Sequence, residues 1–277
     1  MATMRTIVVT GASDGIGKAA VEELRHALPT ARLVVIGRNP EKTRAVAEAN
    51  HADSYTCDFS ELDQVRRLAE ELNRDLDSID VLANNAGGIF DGPVFTGDGF
   101  ERTWQINVVA PYLLTHLLMD TLRASQATVV ATSSIAALLM AKFRPEDPQT
   151  KNPFDTSHAY GNAKLGDAMV TRVLADHIPE ISPVAFHPGV IASNFASGTK
   201  WSMAPVYDVA RKYGIAGPQG GGHRLAFFAQ GTPGIHFERG EFYLRPGVKC
   251  PYTPGMKFAE GVIGELNQAL DLHWPQG

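Results

Sequence analysis

The sequence has little of what would direct a protein to nucleic acid, to a membrane or out of the cell. Cysteine occurs only at Cys57 and Cys250, without C-x-x-C spacing, which excludes a disulfide framework and a cysteine-based metal site. The 25 Lys and Arg are outnumbered by 30 Asp and Glu, and the net charge of −5 argues against nucleic acid. No apolar run could cross a bilayer, and no charged-then-apolar signal sequence precedes the first strand. We predict a cytoplasmic protein without a metal, a nucleic-acid partner or a membrane span.

Short apolar runs, in contrast, alternate regularly with amphipathic segments along the 277 residues. The runs are apolar throughout, which is typical of parallel strands that helices cover on both faces. They lie at 7–9, 33–36, 79–83, 127–131 and 184–186, with weaker or later ones at 54–57 and 241–244. We therefore predict an α/β fold, a doubly wound parallel sheet of about seven strands, in one domain over 1–277. Ser60 is expected to cap the helix that precedes the fourth strand.

A Gly-rich turn follows the first strand. Glycines at such a turn let the backbone approach a pyrophosphate, and the following helix N-terminus supplies N–H donors and partial positive charge. A turn of this kind is often only a turn, but its place after the first strand of an alternating fold favours a nucleotide site. The candidate cofactor-binding residues here are Gly11, Ser13, Asp14, Gly15, Ile16 and Gly17.

The end of the second strand indicates which nucleotide binds. An acidic residue there would bind the ribose 2′-hydroxyl of NAD. The chain has Arg38 and Asn39 instead, and a guanidinium suits a 2′-phosphate. We predict NADP(H) as the cofactor rather than NAD(H), the alternative being a solvated surface arginine.

Polar or glycine-containing motifs follow the other strands as well. Because ligands of an open α/β sheet bind outside the carboxyl ends of its strands, these motifs should converge on one edge. Each could be only a cap or a turn former, but their joint placement is hard to explain that way. They are Asp58, Asn85-Ala86-Gly87, Ser133-Ser134 and Pro188-Gly189.

Tyr160 and Lys164 lie four residues apart, so on a helix their side chains share one face. An ammonium group at this distance favours the phenolate and lowers the pKa of the phenol from its ordinary value near 10. That makes Tyr160 a candidate general acid/base. The alternative is a packed ring beside a solvated charge.

Asn107 lies inside a long helix expected over 100–122, four positions before Pro111. Proline lacks the amide that would bond the Asn107 carbonyl, and its ring crowds that carbonyl. We expect a kink and a carbonyl that is free for water or a lysine, the alternative being a tolerated kink without a role.

Together these motifs resemble those of the short-chain dehydrogenase/reductase family, from about residue 5 to 193. The Gly-Arg-Asn end of the second strand, Lys164-Leu165 and the 26 positions from Ser134 to Tyr160 are similar to the retinol-dehydrogenase-like branch. The resemblance implies a Rossmann-type fold, with a cofactor half at about 1–135 and a catalytic and substrate half at about 136–277. It also implies an oxidoreductase that transfers hydride between nicotinamide and a carbonyl or alcohol. Homodimers or homotetramers are expected from the family only.

The resemblance further implies a catalytic tetrad of Asn107, Ser134, Tyr160 and Lys164, with Ser133 left open as the alternative serine. Lys164 would bind the nicotinamide ribose, and the Asn107 carbonyl would hold a water. The cofactor contacts it implies are Asp58 and Phe59 at the adenine, Asn85 to Gly87 on the adenine side, and Pro188, Gly189, Ile191 and Ser193 near the nicotinamide.

Two irregular regions, 138–157 and 193–222, interrupt the alternation and are expected to roof the site. Their aromatic residues suggest a bulky, apolar substrate, although such residues are often only loop anchors: Phe143, Phe154, Phe195, Trp201 and Tyr207. Two alternatives stay open, an epimerase or dehydratase that uses the same Tyr–Lys pair and a catalytically silent NADP-binding sensor or scaffold. A methyltransferase would leave Tyr160 and Lys164 unexplained.

Overall fold

The structure, a computed structural model, describes residues 4–189, 217–251 and 255–273. The candidate residues Ile191 and Ser193, and the aromatics Phe195, Trp201 and Tyr207, lie outside this range. In the described residues, helices cover both faces of one eight-stranded sheet. Its strands are β1 (Thr6–Thr10), β2 (Arg32–Gly37), β3 (Asp53–Thr56), β4 (Val81–Asn84), β5 (Thr128–Thr132), β6 (Ser182–Phe186), β7 (Phe242–Arg245) and β8 (Val248–Lys249).

The sheet has the order β3-β2-β1-β4-β5-β6-β7-β8. The first seven strands in this order are parallel, which confirms the predicted doubly wound sheet. The sequence did not predict β8, a two-residue strand that pairs antiparallel with β7. The strand order reverses between β1 and β4, and this reversal positions the site described below.

The helices form two layers with separate apolar cores. They are α1 (Gly15–Ala27), α2 (Pro40–Ala49), α3 (Leu62–Asp75), α4 (Arg102–Trp104), α5 (Ala110–Leu117), α6 (Met119–Ala124), α7 (Ala136–Leu139), α8 (Thr156–His177), α9 (Pro218–Gln230) and α10 (Met256–Leu270). Successive residues of a strand face opposite layers: Val8 of β1 belongs to the core that includes residues of α3, α5, α8 and α10, while Ile7 and Val9 belong to the core that includes residues of α1 and α9. No helix in these described ranges is long and apolar enough to cross a membrane.

The predicted cap at Ser60 is wrong. Helix α3 begins at Leu62, and the Ser60 hydroxyl donates to the Asp58 carboxylate instead. The Leu62 N–H is satisfied by Asp98, 36 positions along the chain, at 3.0 Å. A carboxylate from a distant loop therefore takes the role that a local serine was expected to fill.

The helix expected over 100–122 begins at Arg102 and changes its hydrogen-bond register around Asn107, where the proline argument predicted a kink. The change takes the form of a π turn over Gln105–Val109, in which the Ala110 N–H donates to the Gln105 carbonyl. The extra residue in this turn shifts the backbone hydrogen bonds by one position just before Pro111, which has no N–H to donate. A second break, at Leu118, separates α5 from α6.

The 138–157 segment docks on the N-terminal part of α8 through close backbone contacts. A Cβ on Gly161 would lie 2.5 Å from the backbone N of Ala141, so only glycine permits this approach. Asn162 fixes the same contact, because its side-chain oxygen accepts from the Lys142 N–H at 2.9 Å and its amide donates to Thr150 at 2.8 Å. The segment that leads into Tyr160 is thus held by the helix that carries Tyr160.

Gly161→Ala should destabilise the protein by about 1–3 kcal/mol, because the added methyl group collides with backbone atoms that cannot move independently. Gly264→Ala is the matched control: this glycine lies in α10 with open space where the methyl group would lie, and the change should gain up to about 1 kcal/mol from helix propensity. Denaturant unfolding monitored by circular dichroism measures both. Equal stabilisation by the two alanines would contradict the docking contact.

Candidate active site

A cleft opens at the carboxyl ends of the strands, where the order reverses between β1 and β4. Its volume is about 400 Å³. Most of the residues predicted from the sequence line it, namely Gly11, Ser13, Asp14, Gly15, Ile16, Arg38, Asp58, Phe59, Asn85, Ala86, Gly87, Ser134, Tyr160, Lys164, Pro188 and Gly189. Motifs that lie as much as 178 positions apart in the sequence therefore share one cavity.

Three predicted residues are not among those that line the cleft. A Cβ on Gly17 would lie 2.5 Å from the Gly11 carbonyl oxygen, so Gly17 allows α1 to pack against the turn. Asn39 caps α2, where its side chain accepts from the Lys42 N–H at 2.9 Å. Asn107 is fully buried and supports the loop after β4.

Thr10, at the end of β1, joins the two strand ends that form the cleft. Its hydroxyl oxygen accepts from the backbone N–H groups of Asn85 and Ala86 at 2.9 and 3.0 Å, and its hydroxyl donates to the Ala83 carbonyl at 3.2 Å. The Asn85 side-chain amide returns the contact by donating to the Thr10 carbonyl at 2.9 Å. The Asn85-Ala86-Gly87 motif is thereby fixed beside the Gly-rich turn.

One end of the cleft carries the residues expected at the nucleotide's phosphates. Asp14 caps α1 by accepting from the Gly15 N–H at 2.8 Å, and its other carboxylate oxygen lies 3.6 Å from Lys42 Nζ. Arg38 is exposed at the rim, and Ser13 lies so close to Gly37 that a Cβ there would be 2.8 Å from Ser13 Oγ. The Gly-rich turn, the Ser13 hydroxyl and the Arg38 guanidinium thus line one cleft, and groups of these kinds suit a phosphate.

Cys57 also lines this end of the cleft. Burial, followed by the nearby Asp58 carboxylate, raises the pKa of the Cys57 thiol to about 12. The thiol is therefore protonated at neutral pH and acts as an apolar wall rather than as a nucleophile.

The opposite end of the cleft holds Tyr160 and Lys164, both buried in α8. The Lys164 Nζ lies 5.9 Å from the centroid of the Tyr160 ring. Two of its three N–H groups are directed at protein acceptors, the Thr132 carbonyl at 2.9 Å and the Asp167 carboxylate at 3.0 Å. A Cβ on Gly87 would lie 3.4 Å from the same Nζ, so the ammonium also borders the loop after β4.

Asp167 is a buried carboxylate to which the sequence patterns assigned no role. Burial raises the pKa of Asp167 to about 6, and the Lys164 ammonium opposes part of that rise. Above this pH the residue is a carboxylate, and its ion pair with Lys164 forms inside the protein.

The two serines after β5 have different surroundings. Ser133 is fully buried and donates to the Lys164 backbone carbonyl at 2.6 Å, so its hydroxyl holds α8 against β5. Ser134 is only half-buried, and its oxygen accepts from the Ala136 N–H at 3.2 Å. That contact uses an acceptor site and leaves the Ser134 O–H available as a donor in the cleft.

The side chain of Asn107 ties the π turn to the loop after β4. Its amide donates to the carbonyls of Gly88 and Thr103, each at 2.8 Å, and its oxygen accepts from the Gly88 N–H at 3.2 Å. A Cβ on Gly87 would lie 2.5 Å from this oxygen. Asn107 therefore shapes the wall that faces Lys164, and the role of its backbone carbonyl stays a prediction.

His187 supports the turn that carries Ser134. Its Nδ1 accepts from the Ile135 N–H at 3.3 Å. Burial, with a smaller contribution from the Arg224 guanidinium, lowers the pKa of His187 to about 4. The ring is consequently neutral at physiological pH, as an acceptor at Nδ1 requires.

Comparison with known proteins identifies the family that this arrangement belongs to. A family model described as short chain dehydrogenase matches residues 5–202. The chain belongs to the short-chain dehydrogenase/reductase family. This short-chain dehydrogenase is 38% identical over 202 residues to a Streptomyces sp. (strain C5) protein named "Putative daunorubicin C-13 ketoreductase DnrU", covering 70% of this chain and 69% of that one. It is 32% identical to retinol dehydrogenase 12 of Mus musculus, covering 68% and 62% of the two chains.

These relatives place the chain in the retinol-dehydrogenase-like branch, and it spans about three fifths of the length of the retinol dehydrogenases that it matches. Solved structures with lower identity share its fold. A protein from Mycobacterium paratuberculosis has a TM-score of 0.73 at 23% identity, covering 98% and 95% of the two chains. An alcohol dehydrogenase from Thermococcus sibiricus, complexed with 5-hydroxy-NADP, has a TM-score of 0.67 at 16% identity, covering 91% and 99%.

Sequence reasoning assigned no role to four residues that position the site of this short-chain dehydrogenase: Thr10, Thr132, Asp167 and His187. Thr132 acts through its backbone carbonyl, which no side-chain pattern reveals. Asp167 was detectable, because it lies three positions after Lys164 on a helix. Phe143, expected over the site, packs instead between Trp104 and Phe258 at 6.2 and 5.0 Å, and is a loop anchor.

Thr10→Val should cost about 1–3 kcal/mol of unfolding free energy, because it leaves the partly buried N–H groups of Asn85 and Ala86 without their acceptor. Thr56→Val, an exposed position on β3, makes the same chemical change and should stay within about 0.5 kcal/mol of wild type. Chemical denaturation of the two variants checks the difference. Similar stabilities would argue against the bridging role of Thr10.

Proposed function

We propose that this oxidoreductase uses NADP(H) to interconvert a carbonyl compound and the corresponding alcohol, with Tyr160 as the general acid/base. The observation that carries the proposal is the shared cleft: the Gly-rich turn and Arg38 line one end, and Ser134, Tyr160 and Lys164 line the other. A dinucleotide is an extended ligand whose phosphate and reactive ring need two such ends joined by one cavity.

The chain's own side chains supply the proton and orient the substrate. When bound, NADPH would supply the hydride for the carbonyl carbon, and the oxidised cofactor would be NADP⁺. The Ser134 O–H donates a hydrogen bond to the carbonyl oxygen, which holds the substrate and favours negative charge on that oxygen. Tyr160 donates its proton to the same oxygen, so that the products are the alcohol and a phenolate, and the reverse direction begins from that phenolate.

Lys164 holds the ribose next to the reacting ring and lowers the pKa of the Tyr160 phenol. The ammonium has three N–H groups, and the contacts to Thr132 and Asp167 leave the third for the cofactor. We assign to Asn107 the support of this wall and, through its carbonyl, a water that links Lys164 to solvent.

Arg38 selects the 2′-phosphate, with Ser13 beside it. Asp58 and Phe59 bound the adenine, and Pro188 and Gly189 bound the nicotinamide; Ile191 and Ser193 are assigned to the nicotinamide side by family resemblance alone. The position after β2 that would carry a carboxylate in an NAD-binding site carries a guanidinium here.

A bulky, apolar carbonyl or alcohol is the proposed substrate. Ile89, Phe90 and Ile106 add apolar surface to the cleft. Two relatives are named as a daunorubicin C-13 ketoreductase and a retinol dehydrogenase, and we take these names as a guide to the substrate class. We place the protein in the cytoplasm, since Cys57 and Cys250 are buried thiols rather than a disulfide, and expect a homodimer or homotetramer by family analogy.

Tyr160→Phe should lower kcat for carbonyl reduction by about 10²–10⁴, because the proton donor is lost while the ring remains. NADPH consumption over a panel of apolar ketones and aldehydes measures it, and NADPH binding should be retained. Tyr55→Phe, which removes a phenol hydroxyl on β3, is the control and should leave kcat unchanged. Turnover by Tyr160→Phe at the wild-type rate would refute the mechanism. No turnover by wild type on any substrate, with tight NADPH binding, would favour the sensor or scaffold alternative.

Arg38→Asp should raise KM for NADPH about 10- to 100-fold relative to KM for NADH, because a charge-assisted contact to the 2′-phosphate is replaced by repulsion. Arg44→Asp makes the same charge change on an exposed position of α2 and should leave the ratio near its wild-type value. Steady-state kinetics with both cofactors gives the ratio. A preference for NADPH that survives Arg38→Asp would assign the selectivity to other residues.

A further inference from the structure

The buried charge next to Lys164 calls for an explanation that the proposed tetrad does not provide. Asp167 lies one turn beyond Lys164 on α8, and its side chain is 10% exposed, against 5% for Lys164. Burying a carboxylate is unfavourable unless it is paired. Its Oδ2 accepts from the Lys164 Nζ at 3.0 Å, so the pairing group is the same ammonium that borders Tyr160.

We propose that Asp167 is a positioning residue that orients the Lys164 ammonium and partly neutralises its charge at Tyr160. This inference rests on the proposed function, in which the charge of Lys164 acts on the Tyr160 phenol. The Asp167 Oδ2 lies 3.0 Å from the Lys164 Nζ, and this Nζ lies 5.9 Å from the centroid of the Tyr160 ring. The carboxylate oxygen therefore cannot be farther from the ring centroid than these two distances combined. At that range a carboxylate opposes the effect of the ammonium on the phenol.

The orientation of the ammonium follows from its two acceptors. The Thr132 carbonyl comes from β5 and the Asp167 carboxylate from α8, so together they hold Nζ from two elements. The remaining direction includes the Gly87 side of the cleft, where a Cβ would approach Nζ to 3.4 Å. Asp167 thus helps to aim one N–H at the position assigned to the ribose.

The charged groups on the other elements that pack against α8 are engaged elsewhere or exposed. The strands β5 and β6, helix α7 and the π turn carry no charged residue. Arg102 of α4 lies over the Phe90 ring at 4.7 Å, and Glu101 caps α4 by accepting from the Trp104 N–H. The charged residues of α10 are all exposed, with Glu260 paired to His177 at the far end of α8: Lys257, Glu260 and Glu265.

The test is the pH at which Tyr160 loses its proton, which requires neither substrate nor turnover. The tyrosinate absorbance of each protein is titrated with and without the Tyr160→Phe change, and the difference gives Tyr160 alone. In Asp167→Asn the ammonium is no longer opposed, so the midpoint of Tyr160 should move down by about one pH unit. Asp176→Asn removes the same charge from an exposed position of the same helix, 16 residues beyond Tyr160, and should leave the midpoint unchanged.

Asp167→Glu keeps the charge and should keep the midpoint near that of wild type. If Asp167→Asn fails to fold, Asp167→Ser provides the second variant, because the smaller side chain leaves room for a water beside the ammonium. Its midpoint should move in the same direction. An unchanged or raised midpoint in the folded neutral variant would overturn the proposal. Because the titration is independent of catalysis, a wild type that reduces no carbonyl would count against the proposed function and not against this role of Asp167.

Discussion

The pairing of β1 with both β2 and β4 is the constraint on which the rest of the site depends. From β1 the chain crosses to β2 through α1, on one face of the sheet, and from β3 it crosses to β4 through α3, on the other. The loops after β1 and β4 therefore leave the sheet in opposite directions and open a crevice between them. Thr10 keeps this crevice at a fixed width, because one hydroxyl satisfies two backbone N–H groups across it.

The second constraint is the burial of an ammonium at the other end of the crevice. A lysine in the protein interior is stable only when its donors are matched, and here a backbone carbonyl and a carboxylate match two of them. Ser133 adds to the same junction by bonding the Lys164 backbone carbonyl. Packing of α8 against β5 and the charge distribution of the site are thus produced by the same few contacts.

Much of this arrangement was open to sequence reasoning. Apolar runs and the Gly-rich turn predicted the parallel sheet and its cofactor edge, because strand burial and close backbone approach each leave a local pattern. The missing donor of Pro111 predicted a kink at Asn107, and the structure has a π turn there, which was not foreseen. The predictions that failed depend on contacts between residues far apart in the sequence. Asp98 replaces Ser60 at the start of α3, and Phe143 anchors a loop rather than roofing the cleft.

The alternation of strands and helices, the family and the residue types that face the cleft can all be read from the sequence, since each depends on local periodicity or on a motif a few residues long. Tertiary structure alone decided which of two adjacent serines is locked and which is accessible. It also decided that the docked 138–157 segment touches α8 through Gly161, and that Asp167 shares the ammonium with the cleft. The physical reason is that burial and the pairing of charges depend on atoms brought together by folding, and no spacing along the chain specifies them.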